Sequence, residues 1–375
     1  MRIAINGLFL REPHTGTGQY LTHLLGELAR PGTPDEIVVV APRDVNRELP
    51  RVRTVKINDH KSGLGTNLAK LWFEQISFPR ACAALKAEVA HVPHWGPPLR
   101  PPVPTLVTIH DIIPLVLPLY RGSLAVRLYT RLVSAAAQRA KLISADSECS
   151  ARDIAAKLKI ARDKIRVVYL AADSTYYQRP AEECAKVRTK LGLPKDFALY
   201  LGGFDARKNL SVLMRAMARL HDTGTTFVCA GALPERDSEL FPDPRRLARE
   251  AGLGSTEVRF IGPVDEADKP ALYSAARAFV FASRYEGFGL PPLEAMACGT
   301  PTLAARAGSL PEVVGQAGRL LDPEDAGAWA DALREVLTGE KRYESARAAG
   351  LQQAKKFSWT RTAQETRALY EEIKQ

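Results

Sequence analysis

Residues 283–301 read SRYEGFGLPPLEAMACGTP and combine a glycine-punctuated turn with the start of a helix. The preceding residues 278–282, AFVFA, form an apolar run whose length is typical of a buried parallel strand. Pro291 favours a helix start because its missing N–H would be unpaired there anyway, and Gly299 suits the left-handed position that ends a helix. The stretch therefore predicts a strand, a glycine loop and a helix over about residues 291–298.

A glycine turn between a strand and the amino end of a helix points free backbone N–H groups and the positive end of the helix dipole at an anion, most commonly a phosphate. We therefore expect the ligand at the predicted loop, residues 286–290. Two carboxylates, Glu286 in the loop and Glu294 about one turn into the helix, lie eight residues apart. A carboxylate is a poor phosphate contact, but it is a good acceptor for sugar hydroxyls. Alternatively, both glutamates only complement the helix dipole. The spacing alone leaves both interpretations open.

The segment EGFGLPPLEAMACGTP resembles the Glu-x7-Glu signature of the retaining glycosyltransferases of family 4. The resemblance implies an α/β protein with two Rossmann-like domains of parallel sheets that face each other across a cleft, the GT-B architecture. It also implies that Glu294 bonds the ribose hydroxyls of a nucleotide-sugar donor, while Glu286 lies against the transferred sugar. The backbone amides expected to reach the sugar hydroxyls and the diphosphate are those of Gly287, Phe288, Gly289 and Leu290.

The length of 375 residues is sufficient for two domains of ordinary size. We expect an acceptor-side domain over residues 1–185 and a nucleotide-sugar-binding domain over residues 186–357. The resemblance implies that a final helix, residues 358–375, packs back on the first domain. Strands are predicted where short apolar runs precede glycine or polar loops.

The chain has the composition of a reduced, cytoplasmic protein. Its five cysteines are scattered without the spacing of a metal site, and their number is odd. The amino-terminal MRIAINGLFL is predicted to be a strand, without the charged lead or cleavage site of an export signal. No apolar run approaches the ~20 residues of a membrane-spanning helix. We therefore expect an unexported, soluble protein.

The net charge of +10 is concentrated in the first half, since residues 1–190 alone carry +11. Nucleic acid is not the expected partner, because no recognition helix, zinc spacing or aromatic RNA-binding strand accompanies the charge. An anionic membrane surface remains an alternative to a solvated basic face. Within residues 61–85, aromatic side chains such as Trp72 and Phe73 alternate with Lys61 and Lys70. That segment is either a membrane-surface helix or an ordinary core helix.

The first domain begins with a strand over residues 2–5 and a loop over residues 11–17, followed by helical spacing from Gln19. Gly16 and Gly18 match the compact dinucleotide fingerprint only weakly, because the loop is longer than that motif allows. The resemblance to family 4 places both glycines at the donor diphosphate or the acceptor.

His110 and Asp111 follow a predicted strand over residues 105–109. Open α/β sheets bind their ligands at the carboxyl ends of strands, although an isolated histidine is more often a core residue. The resemblance implies that His110 touches the donor hexose near its C6 hydroxyl, and we assign Asp111 to the same sugar site.

Arg207 and Lys208 stand at the start of a helix in the second domain, after a strand over residues 197–201. Two cations at a helix amino end oppose the helix dipole unless an anion lies between them and the N–H groups. The resemblance assigns such a basic pair to the donor pyrophosphate, although many relatives place one member where this chain has Gly203. The alternative is a pair of solvated surface cations.

These residues predict a retaining, metal-independent hexosyltransferase whose catalytic groups are Glu286, His110, Arg207 and Lys208. The resemblance is strongest to bacterial mannosyltransferases, so the expected donor is GDP-mannose, with UDP-glucose and UDP-N-acetylglucosamine as alternatives; no other cofactor is expected. The expected acceptor is lipid-linked or a growing polysaccharide at the inner face of a membrane. An epimerase or hydrolase, an NAD oxidoreductase and a noncatalytic nucleotide-sugar-binding module share parts of this pattern.

Overall fold

The structure, a computed structural model, describes residues 1–32, 35–45, 49–57 and 66–374. The chain divides into two compact units, one formed by residues 1–170 with residues 359–375 and one formed by residues 171–358. Each unit is a parallel α/β sheet with helices, as the alternation of apolar runs and helical spacing predicts.

Seven described strands form the sheet of the first unit. They are β1 (Arg2–Asn6), β2 (Glu36–Pro42), β3 (Arg53–Ile57), β4 (Val89–Val92), β5 (Thr105–Ile109), β6 (Leu142–Ala145) and β7 (Ile165–Val167). All neighbours are parallel, in the order β3-β2-β1-β4-β5-β6-β7. The order reverses between β1 and β4, which is the switch point of a Rossmann-like sheet.

The helices of the first unit cover both faces of this sheet. They are α1 (Gly16–Leu28), α2 (Thr66–Trp72), α3 (Phe78–Ala84), α4 (Ile113–Val116), α5 (Leu124–Ala137) and α6 (Glu148–Leu158), while the last helix of the chain, which also belongs here, is Trp359–Lys374. One buried cluster joins Val107 and Ile143 to Ile154 of α6, and a second joins Val40 and Val92 to Phe78 of α3.

The second unit repeats the same plan with six described strands. They are β8 (Phe197–Leu201), β9 (Thr226–Ala230), β10 (Val258–Gly262), β11 (Ala278–Phe281), β12 (Thr302–Ala305) and β13 (Arg319–Leu321). The parallel order is β10-β9-β8-β11-β12-β13, so the switch point lies between β8 and β11.

Helices pack on both sides of the second sheet as well. They are α7 (Ala181–Leu191), α8 (Leu210–Met217), α9 (Pro244–Glu250), α10 (Lys269–Ala275), α11 (Leu290–Ala297), α12 (Leu310–Val314), α13 (Ala326–Thr338) and α14 (Glu340–Ala354), and the last helix of the chain becomes α15. The core includes Phe197, Phe279 and Phe281 of the sheet with Leu213 and Trp329 of the helices.

The first unit gives way to the second after residue 170, fifteen residues before the predicted domain end at residue 185. The chain returns to the first unit after residue 358, one residue later than predicted. Residues 171–185 group with the second unit because α7 packs on α10. Composition alone does not show this packing, since the segment reads as a polar connector.

The helix α15 packs on the first unit through specific contacts. The Tyr370 hydroxyl lies 2.7 Å from His91 Nδ1 of β4, and Thr362 Oγ1 donates to the Tyr169 carbonyl at 2.7 Å. His91 and Tyr370 are both fully buried, so their hydrogen bond satisfies polar atoms that water does not reach. The final helix is therefore an integral part of the first unit.

The segment predicted as either a membrane-surface helix or a core helix is a core element. Phe73, in a π-helical turn over Phe73–Ser77, and Phe78 of α3 are both fully buried. Lys61 lies outside the described residues. Phe73 and Phe78 therefore pack in the core, as the core-helix alternative predicts, whereas Trp72 is partly buried and Leu68 is exposed.

The helix α1 begins earlier than predicted, at Gly16 instead of Gln19. The Thr15 side chain caps it by accepting a hydrogen bond from the Gly18 amide at 3.2 Å. Gly16 and Gly18 thus belong to the first helical turn and not to the preceding loop. A Cβ at Gly18 would lie 2.0 Å from the Glu12 carbonyl oxygen, so close backbone approach explains this glycine.

We expect Gly18→Ala to destabilise the first unit by about 1–3 kcal/mol, because the Glu12 backbone must move to admit the methyl group. Gly16→Ala is the matched control, since a Cβ there meets nothing within 4 Å and alanine favours the helix. Thermal unfolding of both variants measures the difference. Equal losses in both variants would contradict the packing explanation.

Candidate active site

The amino end of α11 is shaped by a glycine in the left-handed conformation. Gly289 caps the helix with φ of 116°, and a Cβ there would lie 2.8 Å from Leu310 Cδ2. The helix begins at Leu290 and ends at Ala297, one residue earlier at each end than predicted. Gly299 follows with φ of 74°, as expected of a helix stop.

The loop before α11 holds one carboxylate between two cations. Glu286 Oε1 lies 2.7 Å from Lys208 Nζ and 2.7 Å from Arg207 Nη1. The exposed fractions of the three side chains are between 11% and 14%, so the cluster is largely shielded from water. Three of the residues predicted as catalytic therefore lie in direct contact.

The topology of the second sheet explains this contact. Arg207 and Lys208 follow β8, and Glu286 follows β11. These strands are hydrogen-bonded neighbours at the switch point of the sheet, with Phe279 opposite Leu199. Their carboxyl ends open at the same place, where ligands of open α/β sheets bind.

The two cations keep Glu286 ionised. Burial alone would raise the pKa of its carboxyl, but the Lys208 ammonium and the Arg207 guanidinium outweigh burial and hold the pKa below its ordinary value. The Lys208 ammonium also lies 4.8 Å from the centre of the Phe281 ring, a cation–π contact. With the Asp205 carboxylate, which lies 3.2 Å from Arg207 Nε, the cluster carries two positive and two negative charges.

The side chain of Arg207 is held in place by groups around it. Its Nη1 donates to the Tyr285 carbonyl at 3.0 Å, and its Nε lies 3.2 Å from the Asp205 carboxylate. The Arg284 amide donates to the Arg207 carbonyl at 2.8 Å, which ties the two loops together. The guanidinium is thus held in one orientation by the groups around it.

The two cations lie in a short 3-10 turn (Ala206–Lys208) just before α8. Asn209 follows with φ of 54° and anchors the turn, because its buried side chain donates to the Pro323 carbonyl at 2.6 Å. The predicted position of the cations at the entrance of a helix is therefore correct. Gly203 lies in the loop before this turn.

The glycine loop is fixed by Ser309, a buried residue just before α12. Ser309 Oγ contacts the Phe288 carbonyl and lies 3.0 Å from the Glu286 carbonyl. In a trans peptide the N–H points opposite to the carbonyl, so the amides of Gly287 and Gly289 point away from Ser309. Gly308 has φ of 56°, and a Cβ there would lie 2.8 Å from the Glu286 amide nitrogen.

The Phe288 side chain is a packing residue. It is 4% exposed and meets the Phe357 ring edge-to-face, with 5.8 Å between the ring centres. The Phe288 side chain is therefore not available to a ligand, and only the backbone of this position could contact one.

The second glutamate of the motif has different partners. Glu294 Oε2 accepts a hydrogen bond from the Tyr273 hydroxyl of α10 at 2.9 Å. Burial raises the pKa of Glu294 from its ordinary 4.5 to about 7, although the Tyr273 hydroxyl and the charge of Lys269 act in the opposite direction. This carboxylate thus lies in a less polar environment than Glu286 and has capacity for further hydroxyl donors.

His110 lies in the first unit and is held by two acceptors. Its Nδ1 lies 2.7 Å from the Asp146 carboxylate, and its Nε2 lies 3.3 Å from the Pro93 carbonyl. Burial lowers the pKa of His110, but the Asp146 charge and hydrogen bond outweigh burial, so the pKa lies above its ordinary value. Two acceptors favour the doubly protonated ring. The Tyr20 ring of α1 packs against it with 4.8 Å between ring centres.

Asp111 has a local structural function. Its Oδ1 accepts a hydrogen bond from the Ile113 amide at 3.1 Å, at the first residue of α4. His110, Asp111, Gly16 and Gly18 belong to the first unit, whereas the cluster of Glu286 with its cations belongs to the second.

Asp146, which contacts His110, and Tyr273, which contacts Glu294, were not identified from the sequence. Asp146 directly follows β6, the neighbour of β5 that positions His110, so its place after a strand was a usable signal. Tyr273 gives no comparable signal, because it lies within α10 and meets Glu294 only after packing. Among the described residues, no cluster of His, Cys, Asp or Glu suited to a metal ion is found.

Comparisons with known proteins give the family. The model described as "Glycosyltransferase Family 4" matches residues 14–176, and "Glycosyl transferases group 1" matches residues 185–353. The chain is 33% identical to the O-antigen chain mannosyltransferase B of Escherichia coli, over 95% of this chain and 96% of that protein. The chain belongs to glycosyltransferase family 4. Its predicted activity as a glycosyltransferase is therefore confirmed.

Further relatives of this family 4 member include the serotype-specific mannosyltransferase WbdA of Escherichia coli, 33% identical over 70% of this chain but only 32% of that longer protein. The fold is similar to sucrose-phosphate synthase from Thermosynechococcus elongatus, with a TM-score of 0.78, 23% identity and coverage of 100% of this chain and 99% of that one. Anabaena HepE in complex with UDP and glucose gives a TM-score of 0.77 at 18% identity, with 99% coverage of both chains. These neighbours confirm the GT-B fold class.

We expect Lys208→Ala and Glu294→Ala each to lower the rate of sugar transfer by about two orders of magnitude or more, the scale of losing one preorganised group. Lys208 is in contact with Glu286, and Glu294 lies on the neighbouring helix, so the two losses arise separately. Lys355→Ala, which removes an exposed cation of the same unit, is the control. Near-normal rates in both site variants would count heavily against this site.

The raised pKa of Glu294 predicts a pH-dependent stability. The folded protein binds a proton more tightly than the unfolded chain, so this contribution is present below pH 4.5 and is lost as the pH rises through about 7. We expect Glu294→Gln to gain up to about 3 kcal/mol relative to wild type between pH 5 and pH 8. Urea unfolding of both proteins at the two pH values measures this gain, and an unchanged difference would contradict the assignment.

Proposed function

We propose that this glycosyltransferase transfers mannose from GDP-mannose to a hydroxyl of a lipid-linked or polysaccharide acceptor, with retention of anomeric configuration and without a metal ion. The observation that carries the sugar assignment is the 33% identity, over almost the full length of both chains, to a mannosyltransferase named for the O-antigen chain. WbdA, also named a mannosyltransferase, supports the same sugar.

In this proposal the departing diphosphate is neutralised by the cluster after β8 and β11. Lys208 and Arg207 supply two positive charges, and the Lys208 ammonium has N–H groups beyond the one that contacts Glu286. The amino end of α11 and the amides that point away from Ser309 add partial positive charge. A fixed positive field stabilises the charge that develops on the leaving group, and no metal is needed for that role.

Glu286 has two tasks in the proposed reaction. It holds the cations at fixed positions, and its negative charge lies where positive charge develops on the transferred sugar. The acceptor hydroxyl attacks on the face that the diphosphate leaves, so the bond from the acceptor oxygen forms as the bond to the phosphate oxygen breaks. The acceptor proton passes to the departing phosphate oxygen, and no separate protein base takes part.

Glu294 is assigned to the ribose of the donor. Its carboxylate accepts the Tyr273 hydroxyl at 2.9 Å, and this contact with a hydroxyl donor supports the assignment. Ionised Glu294 accepts hydroxyl hydrogen bonds more strongly than neutral Glu294, so donor binding favours release of its proton.

His110 is assigned to the hexose on the basis of the family resemblance. Asp146 and the Pro93 carbonyl orient the ring and favour its cationic form, so the group nearest to the sugar would be a fixed cation. Gly16 and Asp111 remain candidates for donor contact through their backbone, whereas close packing against Glu12 already explains Gly18.

The acceptor is proposed to be presented at the inner face of a membrane, where the protein would bind peripherally. The positive charge of residues 1–190 supports this location. No helix among the described residues is long and apolar enough to cross a membrane.

The donor is tested by thermal unfolding with GDP-mannose, UDP-glucose and UDP-N-acetylglucosamine. A ligand at about 100 times its dissociation constant stabilises by roughly 2.7 kcal/mol, so we expect GDP-mannose to raise the midpoint by several degrees at concentrations where the UDP sugars do not. Lys208→Ala should reduce this shift, and Lys355→Ala should preserve it.

A larger shift with a UDP sugar would overturn the assignment of GDP-mannose but not that of the diphosphate site. Sugar transfer measured in the presence of EDTA tests whether the reaction needs a metal ion. NMR of the new anomeric centre in the product tests whether the configuration is retained. Loss of activity in EDTA that a divalent ion restores, or an inverted product, would contradict the proposed mechanism.

A further inference from the structure

The start of α5 exposes an unusual group of apolar side chains. Four large apolar residues exposed to solvent lie within ten positions of one another, namely Leu119, Leu124, Val126 and Leu128. Leu124 is 70% exposed and Leu128 is 54% exposed. They are four residues apart in a helix and so project from the same face. Leu124 and Leu128 share this face of α5 with Arg127 and Arg131, which are three or four residues from them, and exposed apolar groups of this kind mark interaction surfaces.

The same region is strongly basic. Between Asp111 and Asp146 the sequence contains five Lys or Arg residues and no Asp or Glu. A groove beside α5 is lined by Arg121, Arg127 and Arg131 together with Lys157 of α6, and none of its lining residues is acidic. Its charge is therefore complementary to an anionic partner.

These cations are not compensated within the protein. No ion pair joins Arg121, Arg127 or Arg131 to any carboxylate in the described part of the chain. Arg162 of the same unit, in contrast, pairs with Glu148 at 2.8 Å. The arginines beside α5 thus keep their charge available to an external anion.

The rest of α5 is firmly attached. The Tyr129 hydroxyl lies 3.0 and 2.9 Å from the two carboxylate oxygens of Glu74, which is fully buried. Thr130 and Val133 are buried as well. The exposed leucines therefore stand on an anchored helix, and their exposure does not result from loose packing.

We propose that this surface, formed by Leu124, Leu128, Arg127 and Arg131 of α5 with Leu119 and Arg121 just before it, docks on an anionic lipid bilayer. The leucines would enter the boundary between headgroups and acyl chains, and the arginines would lie at the level of the lipid phosphates. The chemistry identifies the partner, because a nucleic acid would bind the cations but would offer nothing to the leucines.

A second copy of the chain fits this surface poorly. In a two-fold symmetric dimer the patch would meet itself, so the uncompensated arginines of one copy would face those of the other. Like charges across an interface oppose association. A bilayer with anionic headgroups meets both requirements of the surface, apolar contact and negative charge.

The inference deepens the proposed function and rests on it for its purpose, since it names the surface by which the enzyme would reach a membrane-bound acceptor. β5 ends at Ile109, and the chain passes from His110 through α4 directly into α5. The docking surface thus follows in sequence the strand that positions His110. Binding to vesicles can be measured without sugar transfer, so its result does not depend on the proposed donor.

The test is flotation of the full chain with vesicles of phosphatidylcholine alone and of phosphatidylcholine mixed with phosphatidylglycerol. We expect binding only to the anionic vesicles, and weaker binding at high salt. The triple variant Arg121→Gln/Arg127→Gln/Arg131→Gln should lower the partition coefficient about a hundredfold, at about fivefold per cation. Leu124→Ser/Leu128→Ser should lower it at least about tenfold.

The matched control is Lys86→Gln/Arg100→Gln/Lys164→Gln. These three exposed cations precede β4, β5 and β7, at the amino edge of the sheet, and the variant should bind vesicles as the wild type does. Circular dichroism confirms that each variant is folded, and because all substituted residues are exposed, no loss of stability is expected.

Several outcomes would overturn the inference. The bilayer would be excluded as the partner by equal binding to neutral and anionic vesicles, by normal binding of the triple arginine variant, or by an equal loss of binding in the control variant. Self-association of the wild type that the leucine variant abolishes would indicate a second copy of the chain instead. Specific competition by inorganic phosphate at constant ionic strength would indicate a site for free phosphate. An intact GDP-mannose thermal shift without vesicle binding would remove only this inference, and vesicle binding without that shift would remove only the proposed donor.

Discussion

The arrangement of the candidate site depends on one oxygen atom, Glu286 Oε1, which lies 2.7 Å from both Lys208 Nζ and Arg207 Nη1. Two cations with little access to water would repel each other, and the shared carboxylate removes most of that cost. Their approach in turn requires that β8 and β11 are parallel neighbours, since each strand delivers its residues at its carboxyl end. The order of the strands in the sheet thus determines which charged side chains meet at this site. A chain with the same residues but another strand order would not assemble this cluster.

The two glutamates of the motif show how a short spacing produces two different chemical groups. Glu286 lies beside cations, and its pKa is held below the ordinary value, whereas burial raises the pKa of Glu294 to about 7. The difference arises because the first residue lies in the loop near β8, and the second lies one helical turn on, against α10. One motif therefore holds a carboxylate that cations keep ionised and a second carboxyl whose neutral form is favoured by burial.

Most of the fold was predictable because buried parallel strands leave a strong pattern, a short apolar run followed by glycine or polar residues. The strands β5 and β8 have the predicted bounds, and the helix stop at Gly299 is also correct. The start of α1 was wrong by three residues because Thr15, which caps it, was not recognised among the polar residues of the loop.

The candidate site was predictable where residues belong to a motif, and not where a contact forms only through packing. Glu286, Lys208 and Arg207 could be named from the sequence, but Tyr273 could not, because a tyrosine within a helix gives no sign of its partner. The membrane hypothesis illustrates the same limit. Aromatic residues near Phe73 left a membrane-surface helix and a core helix open, because tertiary structure decides which face a helix buries; in the structure Phe73 is buried, whereas Leu124 and Leu128 of α5 are exposed.

The final helix imposes an order on the biogenesis of this enzyme. The first unit is assembled from residues 1–170 and from α15, and the buried pair of His91 and Tyr370 joins the two segments. A ribosome releases the second unit as one continuous stretch, so that unit can complete its folding while the first still lacks its last helix. The amino-terminal half must therefore remain incomplete, with part of its core uncovered, until nearly the whole polypeptide has been translated.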